Sequence, residues 1–325
     1  MRAFLAVLLS LAACSSDNPS PQPGHLVPVV YAGSPWYGHA PVWVGIRKGF
    51  FKDAGFDVEQ RLFGGSADRI NNIEAGNAVF ASLGEAAMLT AMSRGRRSFY
   101  WIGSQNIAPG NEGLVAIGID SISGLRGKKI ALYENTSIHL TIAQLLKQAG
   151  LDIRKDVEVL QAQDSLVVDL VRNGDAVAGG IWEPFYTDLK KLPNARVLGT
   201  DKDTDFYRKY KTMSGPDVIC ASREWVDADL VRARALFRAY FKAVQWCADN
   251  PDELVAIVVD QVKKPEAEVR IALRNFKWIG WSGQKVMLSD ARMFGQAEAA
   301  SKLLIELGKM DKLPAFRDWT RLDLF

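Results

Sequence analysis

Residues 36–59 read WYGHAPVWVGIRKGFFKDAGFDVE. Pro41 suits the first turn of a helix, where its missing N–H would have no partner in any case. Trp43, Ile46 and Phe50 then recur at helical spacing. Gly55 stands where a helix stops, and FDVEQRLF (56–63) continues as an extended run. Just upstream, LVPVVYA (26–32) is another extended run. Strand, loop, helix and strand thus follow one another directly, the order of a parallel sheet covered by helices. Trp36 and Tyr37 sit in the loop between the first strand and the first helix.

The alternation continues downstream. GGS (64–66) leads into a helix over 67–75, VFASL (79–83) into a helix over 84–94, and SFYWIGS (98–104) and GLVAIGI (113–119) read as strands. A second series starts near 121, with a strand at 129–133. Its helix carries Ile138, Ile142, Leu145, Leu146 and Ala149 on one face and is closed by Gly150. Strand 157–160, helix 164–173, strand 176–181 and a helix opened by Pro184 follow, then ARVLG (195–199) and DVICAS (217–222). From Arg223 to Leu307 the pattern is mostly helical. The expected fold is α/β, with two lobes, each a mostly parallel sheet flanked by helices. Lobe 1 would hold 25–120 plus 223–325, and lobe 2 would hold 121–222. The chain would cross twice, near 119–121 and 219–222, forming a two-segment hinge with Cys220 at the second crossing. No internal repeat is visible.

The chain opens MRAFLAVLLSLAACSSDNPSPQPG. One positive residue, a short apolar run and LAAC (11–14) have the form of a bacterial lipoprotein signal over 1–13. Cleavage before Cys14 and lipidation of its thiol are expected, with residues 14–24 as a flexible tether. No other apolar run is long enough to span a membrane. The 325 residues carry 40 Lys and Arg against 37 Asp and Glu, a formal net charge of +3. So balanced a surface argues against a nucleic-acid partner. Cys220 and Cys247 have apolar neighbours, which suits buried free thiols. A disulfide stays open in an exported protein.

In open α/β sheets a ligand sits beyond the carboxyl ends of the strands. Five loops there carry polar or aromatic residues: Trp36, Tyr37 and His39 in the first, Ser66 in the second, and Glu85 in the third. The fourth holds Asn135, Thr136, Ser137 and His139, and the fifth Trp182 and Glu183. Each leads into a helix N-terminus, which favours an anion. Ser66, Thr136 and Ser137 also suit N-caps, worth about 1 kcal/mol each. Trp36, Tyr37 and Trp182 suit either the walls of a cleft or internal packing. Glu85 and Glu183 either complement a helix dipole or, facing a cleft, attract a cation. His25 and His39 read as surface or loop residues, with no metal-type spacing. There is no GxSxG, P-loop, GxGxxG after a strand, or HExxH. Ser137 and His139, two apart, do not converge on one helix face. No enzyme, metal or cofactor is expected.

WYGHAPVWVGIRKGFFKDAGFDVE, GNAVFASLGEAAMLTAMSRG, ENTSIHLTIAQLLKQAGL, IWEPF and SREWVDADLVRARALFRAYFKAVQW together resemble the nitrate, taurine and aliphatic-sulfonate class of ABC-transporter periplasmic binding proteins. The resemblance runs over nearly the whole chain after the leader. It implies two lobes closing on a small solute, and delivery to a permease and ATPase in the membrane. It implies ligand contacts at Trp36, Tyr37, Ser66, Glu85, Thr136, Ser137, Trp182 and Glu183, and Asn135 shares the fourth loop. It also implies an envelope location, with Cys14 as the lipid anchor, and a monomer is expected. Many relatives carry a small or neutral residue where Glu85 stands. With helix N-termini for an anionic head and the two glutamates for a positive tail, a sulfonate or taurine-like zwitterion fits. A heteroaromatic amine such as a pyrimidine, stacked on Trp36 or Trp182, fits as well. Bare nitrate or bicarbonate fits less well beside carboxylates. Two other classes are an enzyme on the same scaffold, which turnover without a permease would reveal, and a lipoprotein reporting to a sensor. Ser15 after the lipidated cysteine does not favour inner-membrane retention.

Overall fold

The computed structural model describes residues 25–163 and 165–325. The expected leader, the lipidation at Cys14 and the tether of 14–24 lie outside the described residues. The strands are β1 (Val27–Gly33), β2 (Phe56–Leu62), β3 (Phe80–Gly84), β4 (Phe99–Ile107), β5 (Glu112–Ile117), β6 (Lys129–Leu132), β7 (Glu158–Gln161), β8 (Ala178–Trp182), β9 (Ala195–Thr200), β10 (Asp217–Ser222) and β11 (Lys277–Trp278). Between them run α1 (Ala40–Arg47), α2 (Phe50–Asp53), α3 (Ser66–Glu74), α4 (Glu85–Ser93), α5 (Ser137–Gln148), α6 (Ser165–Arg172), α7 (Phe185–Lys190) and α8 (Asp205–Tyr210). The C-terminal part holds α9 (Arg223–Ala228), α10 (Leu230–Asp249), α11 (Pro251–Val262), α12 (Glu266–Leu273), α13 (Trp281–Ser289) and α14 (Ala291–Glu306). None of the described helices is long and apolar enough to cross a membrane.

Two sheets form, ordered β11-β4-β10-β3-β1-β2 and β7-β6-β8-β5-β9. β1 pairs in parallel with β2 and β3, and β6 in parallel with β7 and β8. β10 is antiparallel to β3 and β4, and β5 antiparallel to β8 and β9. In each sheet four strands therefore point one way and one strand, inserted between the third and fourth, is reversed; the two-residue β11 at the edge of the first sheet is reversed as well. Leaving out the short β11, the two sheets share one order: second, first, third, reversed, fourth.

The reversed strands correct the expected crossings. β5 was expected in lobe 1 and β10 at the end of lobe 2, but β5 belongs to the second sheet and β10 to the first. The chain crosses at 108–111 and 201–216, and Cys220 lies inside the first sheet rather than at a hinge. Local alternation identifies a strand without identifying its partner, so membership was not visible from the residues alone.

Along β10 the side chains alternate, as strand geometry requires. Ile219 and Ala221 join a core with α1, α10 and α11, while Val218 and Cys220 join one with α3, α4 and α14. Leu140 of α5 enters that second core, tying the two sheets together. The smaller sheet packs α5 on one face and α6 and α7 on the other. Cys220 and Cys247 are free, buried and in different cores. The first helix also departs from expectation. It ends at Arg47 and restarts at Phe50, so the helical phase resets. Phe51 then enters the core, and Ile46 is 40% exposed.

Candidate functional site

A cleft opens where the carboxyl ends of the parallel strands of both sheets face each other. Counting the open space at its mouth, it holds about 760 Å³. The first sheet supplies Trp36 and His39 after β1, Ser66 and Arg69 at the start of α3, Gly84 at the end of β3, and Asp217 at the head of β10. The second sheet supplies Glu112 at the head of β5, Tyr133, Thr136 and Ser137 between β6 and α5, and Trp182 and Phe185 around the end of β8. Of the residues singled out in the sequence, Trp36, Ser66, Thr136, Ser137 and Trp182 therefore meet in one cleft.

Two helix starts face this space with no bond from an N-cap side chain, although Asp68 in the first turn of α3 accepts from the Gly65 amide at 3.2 Å. α3 begins at Ser66 after Gly65, and α5 begins at Ser137 after Thr136, whose hydroxyl makes no cap bond. Ser66 Oγ instead accepts from Arg69 at 2.9 Å and from the Gly84 amide at 3.0 Å. The two first turns, with the buried Arg69 guanidinium beside one of them, form a positive pole. Trp36, Tyr133, Trp182 and Phe185 give the opposite character, an aromatic wall.

Four other expected residues are placed elsewhere. Tyr37 belongs to a single 3-10 turn that rotates it into the core, 1% exposed, its ring parallel to Trp36 with centroids 6.1 Å apart. Glu85 is fully buried beneath α4, where Oε2 accepts from Gln296 of α14 at 2.7 Å. Burial pushes its carboxyl up to about 8. Asn135 takes a left-handed backbone, φ 60°, and its side chain accepts from Thr90 at 2.9 Å. Glu183 turns back along α7, accepting from the Thr187 amide at 3.0 Å and its hydroxyl at 2.8 Å. The two carboxylates expected to attract a positive tail thus bond to helices instead, Glu85 to α14 and Glu183 to α7.

Two other carboxylates take that place. Asp217 Oδ2 accepts from the Trp36 indole at 2.6 Å and from Asn106 at 3.3 Å. Burial raises its carboxyl to about 6, opposed by those donors and by Arg69. Glu112 is fully buried and accepts from Ser137 at 2.5 Å and Thr141 at 2.7 Å. Burial, then Asp201, pushes it up to about 8 against those two hydroxyls. Each acid opens a reversed strand, so each lies at the carboxyl ends of its parallel neighbours: Asp217 opposite Gly84, Glu112 opposite Trp182. A charged residue heading an apolar strand, as in EGLVAI and DVICAS, is the signal that could have found them. His39, read as a surface or loop residue, lies in the loop after β1 and is 1% exposed, between the Tyr31 and Ser34 hydroxyls. Burial and Arg69 hold it well below its ordinary value, so it is neutral at pH 7. Among the described residues no group of His, Cys, Asp or Glu could hold a metal ion.

Residues 36–254 match the model of a family described as NMT1/THI5 like. A Bacillus subtilis (strain 168) protein provisionally named as aliphatic-sulfonates-binding is 27% identical over 279 residues, covering 84% of this chain and 81% of that one. A protein named as a binding protein in Brucella abortus (strain 2308) is 22% identical over 329 residues, covering 100% and 98%. The alkanesulfonate-binding protein from Xanthomonas axonopodis pv. citri, solved bound to MOPS, superimposes with a TM-score of 0.75 at 15% identity, covering 92% of this chain and 99% of that one. The fold is that of the periplasmic binding proteins, in agreement with the resemblance read from the sequence.

Proposed function

Because the chain belongs to the NMT1/THI5-like family, we propose that it captures a small organic anion, sulfonate-like at its head, for an ABC-type importer. The observation that carries this reading is the pairing of two helix starts and Arg69 with an aromatic wall in one cleft. The helix starts attract the oxyanion, and Trp36 and Trp182 enclose the organic tail. A captured solute would be handed to permease and ATPase subunits. The site is read as a binding site rather than a catalytic one, with the two sheets as two lobes closing about the crossings at 108–111 and 201–216. An exported protein held in the cell envelope by a lipid on Cys14 fits this role.

Asp217 favours a second reading. Its hydrogen bonds from Trp36 and Asn106 both fall on Oδ2, and it lies beside the Trp36 ring. A zwitterion or an aminopyrimidine would place a donor there. A thermal-shift panel separates the two. An alkanesulfonate at a hundredfold excess over Kd is expected to raise Tm by about 5 °C. If an aminopyrimidine raises Tm and no sulfonate does, the sulfonate reading is wrong.

A further inference from the structure

Ser137 opens α5 at the cleft, yet its hydroxyl proton points away from any bound anion, onto Glu112. Thr141, one turn along the same helix, donates to the other oxygen of that carboxyl. An ionised Glu112 therefore holds both hydroxyl protons and leaves Ser137 presenting only lone pairs to the cleft. That is the wrong polarity for an oxyanion. A proton on Glu112 Oε2 reverses it: the carboxyl donates to Ser137 Oγ, and the Ser137 hydroxyl is released to donate into the cleft. Thr141 is fully buried and lines no part of the cleft, so a proton on Oε1 would gain no such contact.

We propose that Glu112 is the positioning residue that turns Ser137 into an anion donor, so that anion capture and protonation of Glu112 are linked. The proton comes from solvent and stays on the carboxyl while the anion is bound. This rests on the oxyanion reading of the cleft and adds to it a preference for the acid form of one side chain. The surroundings favour that form. Glu112 is faced by Ser137 and Thr141 from α5, by the carboxylate of Asp201 after β9 with Lys202 beside it, by Asp217 from β10, and by Tyr186 of α7 against neighbouring Gly113. Arg69 lines the cleft from the other sheet. Burial and the acids oppose ionisation, and the two hydroxyls only partly offset them.

Ethanesulfonate is the probe, because its charge does not change over the range examined. Wild-type affinity is expected to be about tenfold weaker at pH 9 than at pH 7, one proton being lost above the carboxyl's titration point. Glu112→Gln, whose amide donates permanently, is expected to bind with the same affinity at pH 7 and pH 9. Thr141→Val removes a hydroxyl that stabilises the carboxylate, so the inflection moves to higher pH; this serves if the Gln variant does not fold. A wild-type affinity unchanged between pH 7 and 9, or a Gln variant that keeps the tenfold change, overturns the proposal while leaving the sulfonate reading intact. No binding of ethanesulfonate at any pH overturns both.

Discussion

Glu85 is the buried acid whose role differs most from its position in the sequence. It stands at a helix start beside the cleft, yet it faces α14, where Oε2 takes the Gln296 amide and Oε1 has no partner. A protonated carboxyl is the species that suits such a site, and burial raises it to about 8. The unfolded chain releases this proton near 4.5 and the folded chain near 8, so the folded state binds more protons between those values. Its stabilising contribution is complete below the lower value and is lost as pH rises through the upper one. Glu85→Gln removes that slope. Relative to wild type, the variant is expected to gain about 4 kcal/mol between pH 5 and pH 8 in urea unfolding. Equal stability differences at both pH values would show that Glu85 is ionised in place. The sequence identified the right loop but not the direction of the side chain, because one residue along a helix turns by about 100°. Gly84 lines the cleft and Glu85 does not.

At the scale of the element, β8 shows why its loop reaches the cleft. AGGIW (Ala178–Trp182) carries two glycines that let helices close on both faces of the strand. A Cβ at Gly179 would lie 2.9 Å from both Val167 and Val171 and 3.1 Å from Leu189. α6 and α7 are therefore seated almost on the backbone. Gly179→Val is expected to cost about 2 kcal/mol by overpacking, as a lower midpoint with unchanged m in denaturant unfolding. A neutral result would mean that α6 shifts freely. Elements of this kind were legible in the sequence: hydrophobic spacing located the strands, the helices and the loops that carry Trp36, Ser66, Thr136, Ser137 and Trp182 to the cleft. Pairing was not legible, because the partner of a strand lies far away in sequence. With pairing hidden, the reversed strands and the acids at their heads were hidden too. The burial of His39 was hidden for a related reason: its two hydroxyl partners, Tyr31 and Ser34, are brought to it only once β1 and its loop fold.

At the scale of the whole molecule, the lobes meet at a narrow point. A Cβ on Gly65 would lie 2.5 Å from the Tyr133 hydroxyl across the cleft. Gly65→Val should therefore either swing the Tyr133 ring aside or hold the lobes apart, and the second outcome is the one expected here. If it reduces the closed population to about a tenth, apparent affinity falls about tenfold, and small-angle scattering should show a larger radius of gyration. Adding Tyr133→Ala should restore both. Recovery of neither would place the narrow point elsewhere. The shared strand order has a consequence for how such a molecule holds together. The chain divides into β1–β5 and β6–β10, two consecutive units of five strands. Each unit keeps four strands and lends its fifth to the partner's sheet. That is the pattern of a swapped dimer fused into one polypeptide. Neither unit can complete its own sheet alone, and a cut between Ile117 and Lys129 would leave two pieces still clasped through the strands they have exchanged.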